Sequence, residues 1–197
     1  PFPSHQLRRL LRIGVPTGGE SLSYNMSQIC IQTVCNNFAS FVVNTRVYAN
    51  MFANITYMFG SAISQAAQVV AARLMGAGDV EGTDRRVKLT LVSSIAISGA
   101  VSVLLAIFCR PLYSLFTRDP QVLELAQAIM LIEIPLELGR AVNMTMCRAL
   151  QACGDIRFPI VICVIDAWLV GVGGSILLGM VFGMGLKGLW IAMACDE

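Results

Sequence analysis

"KLTLVSSIAISGAVSVLLAIFC", residues 88 to 109, decides how the chain is read. No charged residue stands between Lys88 and Arg110, and the run matches the ~20 residues that an α-helix needs to cross the hydrocarbon core of a bilayer. The rest of the chain agrees with it. Of the 197 residues 56% are hydrophobic and 13% charged, with a mean hydropathy of +0.70, whereas about a quarter of the residues of a soluble domain are charged. Further apolar segments at 14–35, 44–72, 121–150 and 158–182, and one that begins near 186 and runs into Glu197, predict five more helices. Between them lie short breaks of turn chemistry: Asn36-Asn37, "GAGDVEG" at 76–82, "TRDP" at 117–120, "CGDIRFP" at 153–159 and "GMGLKG" at 183–188. The expected fold is an all-α, polytopic membrane helix bundle with up-and-down connections and no soluble domain.

Lys and Arg placement carries the topology. With the N-terminus of the segment in the cytoplasm, Arg8, Arg9, Arg12, Arg73, Arg85, Arg86, Lys88, Arg148 and Arg157 fall inside, against Arg46, Arg110, Arg118 and Lys187 outside. Residues 1–13, "PFPSHQLRRLLRI", then form a basic interfacial linker, distinct from a signal peptide because they lack an initiator Met and a cleavage site. A start in a linker and a stop within a helix predict a fragment of a longer chain. The net charge of +2 and the scattered basic residues give no face for nucleic acid. No cofactor or metal set is expected: the seven cysteines have no Cys-x-x-Cys spacing, and His5 is the only histidine. The glycines of "GAGDVEG" follow a helix and read as a C-cap, not a phosphate loop.

Polar residues inside the helices are arranged in stripes. Ser21, Asn25, Gln28, Gln32 and Asn36 recur at helical spacing along the first helix, and Asn50, Asn54, Tyr57, Ser61, Ser64 and Gln68 along the second. Single residues of this kind commonly tie membrane helices together. Two long stripes on consecutive helices predict a solvated pathway between them. Charged groups sharpen that expectation: Glu20, Glu133, Glu137, Arg140 and Asp166 fall within predicted spans, where a charge near the centre costs about 2.5 to 3.5 kcal/mol on insertion scales. Glu133, Glu137 and Arg140 share one helical face, with Asn143 one turn on. An ion-pair network that only locks the fourth long helix in place is the competing expectation.

The motifs "RIGVPTGGESL", "AARLMGAGD", "LFTRDPQV", "RALQACGDIRFP" and "GLKGLWIAMACDE" occur in the order and at the spacings of multidrug and toxic compound extrusion (MATE) transporters, and the chain resembles one six-helix lobe of that two-lobe family, the C-terminal one, over nearly its whole length. The resemblance implies a missing N-terminal lobe of the same polypeptide, alternating access, and export of organic cations and drugs across the cell (inner or plasma) membrane in exchange for protons or Na+. It places Glu137 where many members carry an acidic residue, and Tyr24 where the sodium-coupled bacterial subgroup carries a glutamate; Glu20 stands one turn earlier.

The expected cation-coupling residues are therefore Glu137, Arg140, Asn143 and Glu133. The expected substrate pathway comprises Glu20, Tyr24, Asn25, Gln28, Gln32, Asn54, Tyr57, Ser61, Ser64 and Asp166, with Tyr24, Phe52, Tyr57 and Phe59 available to stack on flat cations. The surroundings are membrane lipid. Two other classes are weighed. A flippase or exporter of a lipid-linked or polysaccharide substrate calls for several cations in the cavity, where only Arg140 and Arg46 are on offer. An intramembrane hydrolase calls for paired carboxylates, of which Glu137 and Asp166 are the obvious two, but no nucleophile accompanies them.

Overall fold

The computed structural model describes residues 4–197, and no strand occurs among them. Pro1, Phe2 and Pro3 of the expected linker lie outside the described residues, as do the side chains of residues 4–6, 8–10, 12 and 13, which include His5, Arg8, Arg9 and Arg12. The first helix, α1, spans Ser4–Cys35. It starts ten residues before the position expected (14 − 4 = 10), because "SHQLRRLLR" holds no Gly or Pro and is rich in good helix formers. Glu20 therefore sits mid-helix.

The remaining helices are α2 Ser40–Gly76, α3 Val80–Ile107, α4 Cys109–Ser114, α5 Pro120–Ala152, α6 Arg157–Val181 and α7 Gly185–Asp196. The short α4 falls between the apolar run that ends at 109 and the segment that begins at 121, where the sequence predicts no helix. Within α6 the glycine-rich stretch "AWLVGVG" and the following "LLGMV" are π-helical, a wider winding than the regular helix expected over 158–182.

Helix ends follow turn chemistry. At the end of α2 the Gly78 N–H donates to Met75 O at 3.1 Å and the Asp79 N–H to Leu74 O at 3.0 Å, with Gly78 at φ +78°; the left-handed glycine lets the last carbonyls find donors. Gly154, φ +95°, repeats the arrangement after α5, with Asp155 N donating to Leu150 O at 3.1 Å. Asp79 caps α3 by accepting from Gly82 N, and Asp119 caps α5 by accepting from Gln121 N beside Pro120.

α5 is the central helix, packed against α2 and α3 on one side and α7 on the other, while α1 packs on α6 and α7. Consecutive in sequence, α1 and α2 scarcely touch. α7 lies so close to α6 that a Cβ on Gly188 would fall 2.7 Å from the backbone of Leu178. A methyl there forces backbone movement, at a cost of about 1 to 3 kcal/mol.

Large apolar side chains face outward along two long apolar helices, Leu104 and Ile107 on α3 and Leu169 and Val181 on α6. Both helices are long and apolar enough to cross a membrane. Phe52 is in the core: its ring lies 5.1 Å from Tyr113 and 6.1 Å from Phe116. It is not available to stack on a substrate. Arg46 is likewise buried in α2, 2% exposed, with its guanidinium 5.8 Å from the centre of the Trp190 ring. It does not belong among the surface cations, where the sequence reading set it beside Arg110, Arg118 and Lys187.

Candidate functional site

Two cavities lie beside α1 and α5 and share part of their lining. The larger, about 580 Å³, has Glu20, Ser21 and Asn25 of α1 on one wall, Asn143 and Cys147 of α5 on another, and Asp166 of α6 on a third. The smaller, about 330 Å³, is lined by Gln28, Asn50, Asn54 and Glu133, among others. Tyr24, Tyr57 and Arg140 line both.

Arg140 is the junction. Its side chain is 12% exposed and makes an ion pair through Nη1 with Glu137 Oε1, three residues back on α5, and another through Nε with Glu197 Oε1 at 2.9 Å. The first contact is local, set by the i,i+3 geometry of a helix. The second crosses from α5 to the end of α7. Glu133, one turn before Glu137, is buried and accepts from Trp190 Nε1 at 2.5 Å. Asn143, of the expected cation-coupling set, bonds to Glu197 and Cys147: its Nδ2 donates to Glu197 Oε2 at 3.5 Å, and its Oδ1 accepts from Cys147 Sγ at 3.1 Å.

The stripes divide. In α1, Ser21 Oγ donates to Thr17 O, Asn25 Nδ2 to Ser21 O, and Gln32 Nε2 to Asn36 Oδ1. These bonds stay within α1 and its C-terminal end, and of these residues Ser21 and Asn25 face the larger cavity. In α2 the stripe is split by depth: Asn50, Asn54 and Tyr57 reach the smaller cavity, whereas Ser64 is fully buried against Thr145 of α5, Oγ to Oγ1 3.4 Å. Ser64 is interhelical packing, not pathway. Ser61 accepts from Gln65 Nε2 at 2.9 Å, and neither Ser61, Gln32 nor Phe59 lines either cavity.

Asp196 and Glu197 were missed as site residues. Their signal was present, two adjacent carboxylates closing an apolar run, but Arg140 lies 57 positions from Glu197, beyond any periodicity. Among the described residues no group of three His, Cys, Asp or Glu side chains is placed to hold a metal ion.

Residues 16–177, most of this assembly, match the MatE family profile. The chain belongs to the MatE family. The MatE chain is 35% identical over 97% of its length to the uncharacterized transporter YisQ of Bacillus subtilis (strain 168), of which it covers 42%. It is 24% identical over 96% of its length to a probable multidrug resistance protein NorM of Thermotoga maritima, of which it covers 41%. Its fold superposes on the outward-facing conformation of a multidrug resistance MATE family transporter of the MOP superfamily with a TM-score of 0.86 at 14% identity, covering 95% of this chain and 41% of that one. A MATE crystal structure in a straight conformation matches with a TM-score of 0.84 at 16% identity, over 96% of this chain and 43% of that one. The MatE chain thus spans about two fifths of the length of the relatives it matches, as one lobe of a two-lobe transporter does.

Proposed function

We propose that this lobe supplies the ion-responsive half of a cation-coupled antiporter, completed by an N-terminal lobe of the same polypeptide, which exports organic cations and drugs by alternating access. The carrying observation is a charge imbalance at the junction of the cavities. Arg140 is ion-paired with Glu137 and Glu197, and the cavities it borders are lined by two further carboxylates, Glu133 and Asp196. Buried charges persist only when paired, so an excess of carboxylates selects a proton, a sodium ion or a cationic substrate. Glu133 Oε1 points the same way. It is buried without a donor, although the Glu137 carboxyl is within hydrogen-bonding reach, and a proton held between the two would satisfy it.

The cavity walls suit the substrate class. Tyr24 and Tyr57 offer aromatic faces to a flat cation, and the stripe residues hydrate it. Repeat-built carriers place such sites between their lobes near the membrane midplane. A flippase for a polyanionic lipid headgroup has less support: the cavity cations among the described residues, Arg140 and Arg148, each face carboxylates, with Glu20 opposite Arg148, and Arg46 is in the core. Efflux in sealed vesicles bearing the full two-lobed protein tests the reading. An imposed proton or sodium gradient is expected to drive export of a fluorescent organic cation; an export rate indifferent to both gradients overturns it.

The proposed setting is the cell membrane, with the N-terminus of this segment and the turns after α2 and α5 in the cytoplasm. With Arg46 removed, nine basic residues on the inner side face three on the outer. Cys153, exposed in the turn after α5, is then expected to react with an impermeant maleimide in inverted vesicles but not in intact cells. Labelling in intact cells would reverse the orientation.

A further inference from the structure

Between α5 and α6, where both border the larger cavity, two thiols face each other. Cys147 Sγ and Cys163 Sγ are 3.6 Å apart, and both line the cavity. The hairpin makes this pairing natural. Cys147 lies six residues before Cys153 and Cys163 seven after Ile156, so the two stand at nearly equal heights above the turn that joins the helices. Asn143 Oδ1 accepts from Cys147 Sγ at 3.1 Å and lies 4.0 Å from Cys163 Sγ, which holds both sulfurs toward one point. The remaining cysteines form no such pair among the hydrogen bonds of the described residues.

We infer that Cys147 and Cys163 form a dithiol modification site that a small hydroperoxide closes to a disulfide, fastening α5 to α6 beside the cavity. One thiol, as thiolate, attacks the peroxide oxygen; the O–O bond breaks, the alcohol or water leaves with a proton, and the sulfur becomes a sulfenic acid. The second thiol attacks that sulfur, the S–S bond forms, and the hydroxyl departs as water with the second proton. Two thiols and one hydroperoxide give one disulfide, one alcohol (or water) and one water, with the sulfurs oxidised by two electrons and the peroxide reduced by two. A sulfenic acid with a second thiol already in contact is captured before it oxidises further. The cavity gives a peroxide its entry. The bond also removes the thiol donor from Asn143, whose Nδ2 reaches Glu197, so the modification acts on the partner of Arg140.

The site is tested on the full two-lobed protein without reference to transport. The purified protein is treated with hydrogen peroxide, denatured, alkylated with N-ethylmaleimide and mapped by mass spectrometry. The expected result is a linked peptide pair containing Cys147 and Cys163, lighter by two hydrogens than the sum of its parts, with both thiols lost to alkylation and both recovered after dithiothreitol. C147S and C163S are each expected to yield no linked pair and to accumulate sulfinic or sulfonic acid at the surviving cysteine. Persistence of alkylatable Cys147 and Cys163 under peroxide that has already oxidised the exposed Cys153 overturns the inference. So does their recovery in the parent protein as separate sulfonic acids.

Discussion

Glu137→Gln in the full two-lobed protein is expected to abolish ion-driven efflux while leaving the protein folded and inserted. Glutamine keeps the shape of the side chain and an oxygen that can still accept from Arg140, but it cannot bind and release a proton or hold a cation by charge. Arg140 retains Glu197 as a counter-ion, and the local excess of carboxylates falls by one, so the fold has little to lose. The measurement is efflux against pH in sealed vesicles, with the fraction of folded protein followed alongside. Efflux at the parental rate with an unchanged pH profile would reduce Glu137 to a structural partner of Arg140 and put the coupling site in the other lobe.

Arg140→Ala is expected to be damaging in a different way. It strips the guanidinium that bridges Glu137 and Glu197 and leaves both carboxylates in a largely enclosed site, a loss of roughly 3 to 5 kcal/mol for a buried pair broken from one side. Transport and stability should fall together. Thermal unfolding in detergent reads the second effect directly, and adding Glu137→Gln to the same chain should recover part of it, because one stranded charge is then gone. An Arg140→Ala protein as stable as the parent would mean that water already screens the site.

The difference between the two variants reflects what a sequence can show. Helical periodicity put Glu133, Glu137 and Arg140 on one face, and the ion pair between Glu137 and Arg140 follows from that geometry alone. Glu197 was out of reach, since only the folding of α7 against α5 brings it to Arg140. The same limit misplaced Ser64 and Phe52. Spacing groups residues by face but does not say which neighbour covers each level of it, so Ser64 was read with Asn54 and Tyr57 although α5 seals it off through Thr145. Arg46 misled in another way: a charge within two turns of a helix start usually snorkels to the surface, but here the face of Trp190, 144 positions away in sequence, receives it. The helix ends were legible because their causes are local, such as the left-handed Gly78 and Gly154 and the caps at Asp79 and Asp119. α4 was not, being too short to show a period.

The scant contact between α1 and α2, which meet where Ile31 and Cys35 join the core that holds Val42, has a mechanical consequence. It divides the lobe lengthwise into two leaves, α2, α3 and α5 on one side and α1, α6 and α7 on the other, bound along a spine where α5 meets α7. The Arg140–Glu197 bond is a rivet through the spine itself. Any ion that changes the charge on that rivet acts at the point where the two leaves are joined.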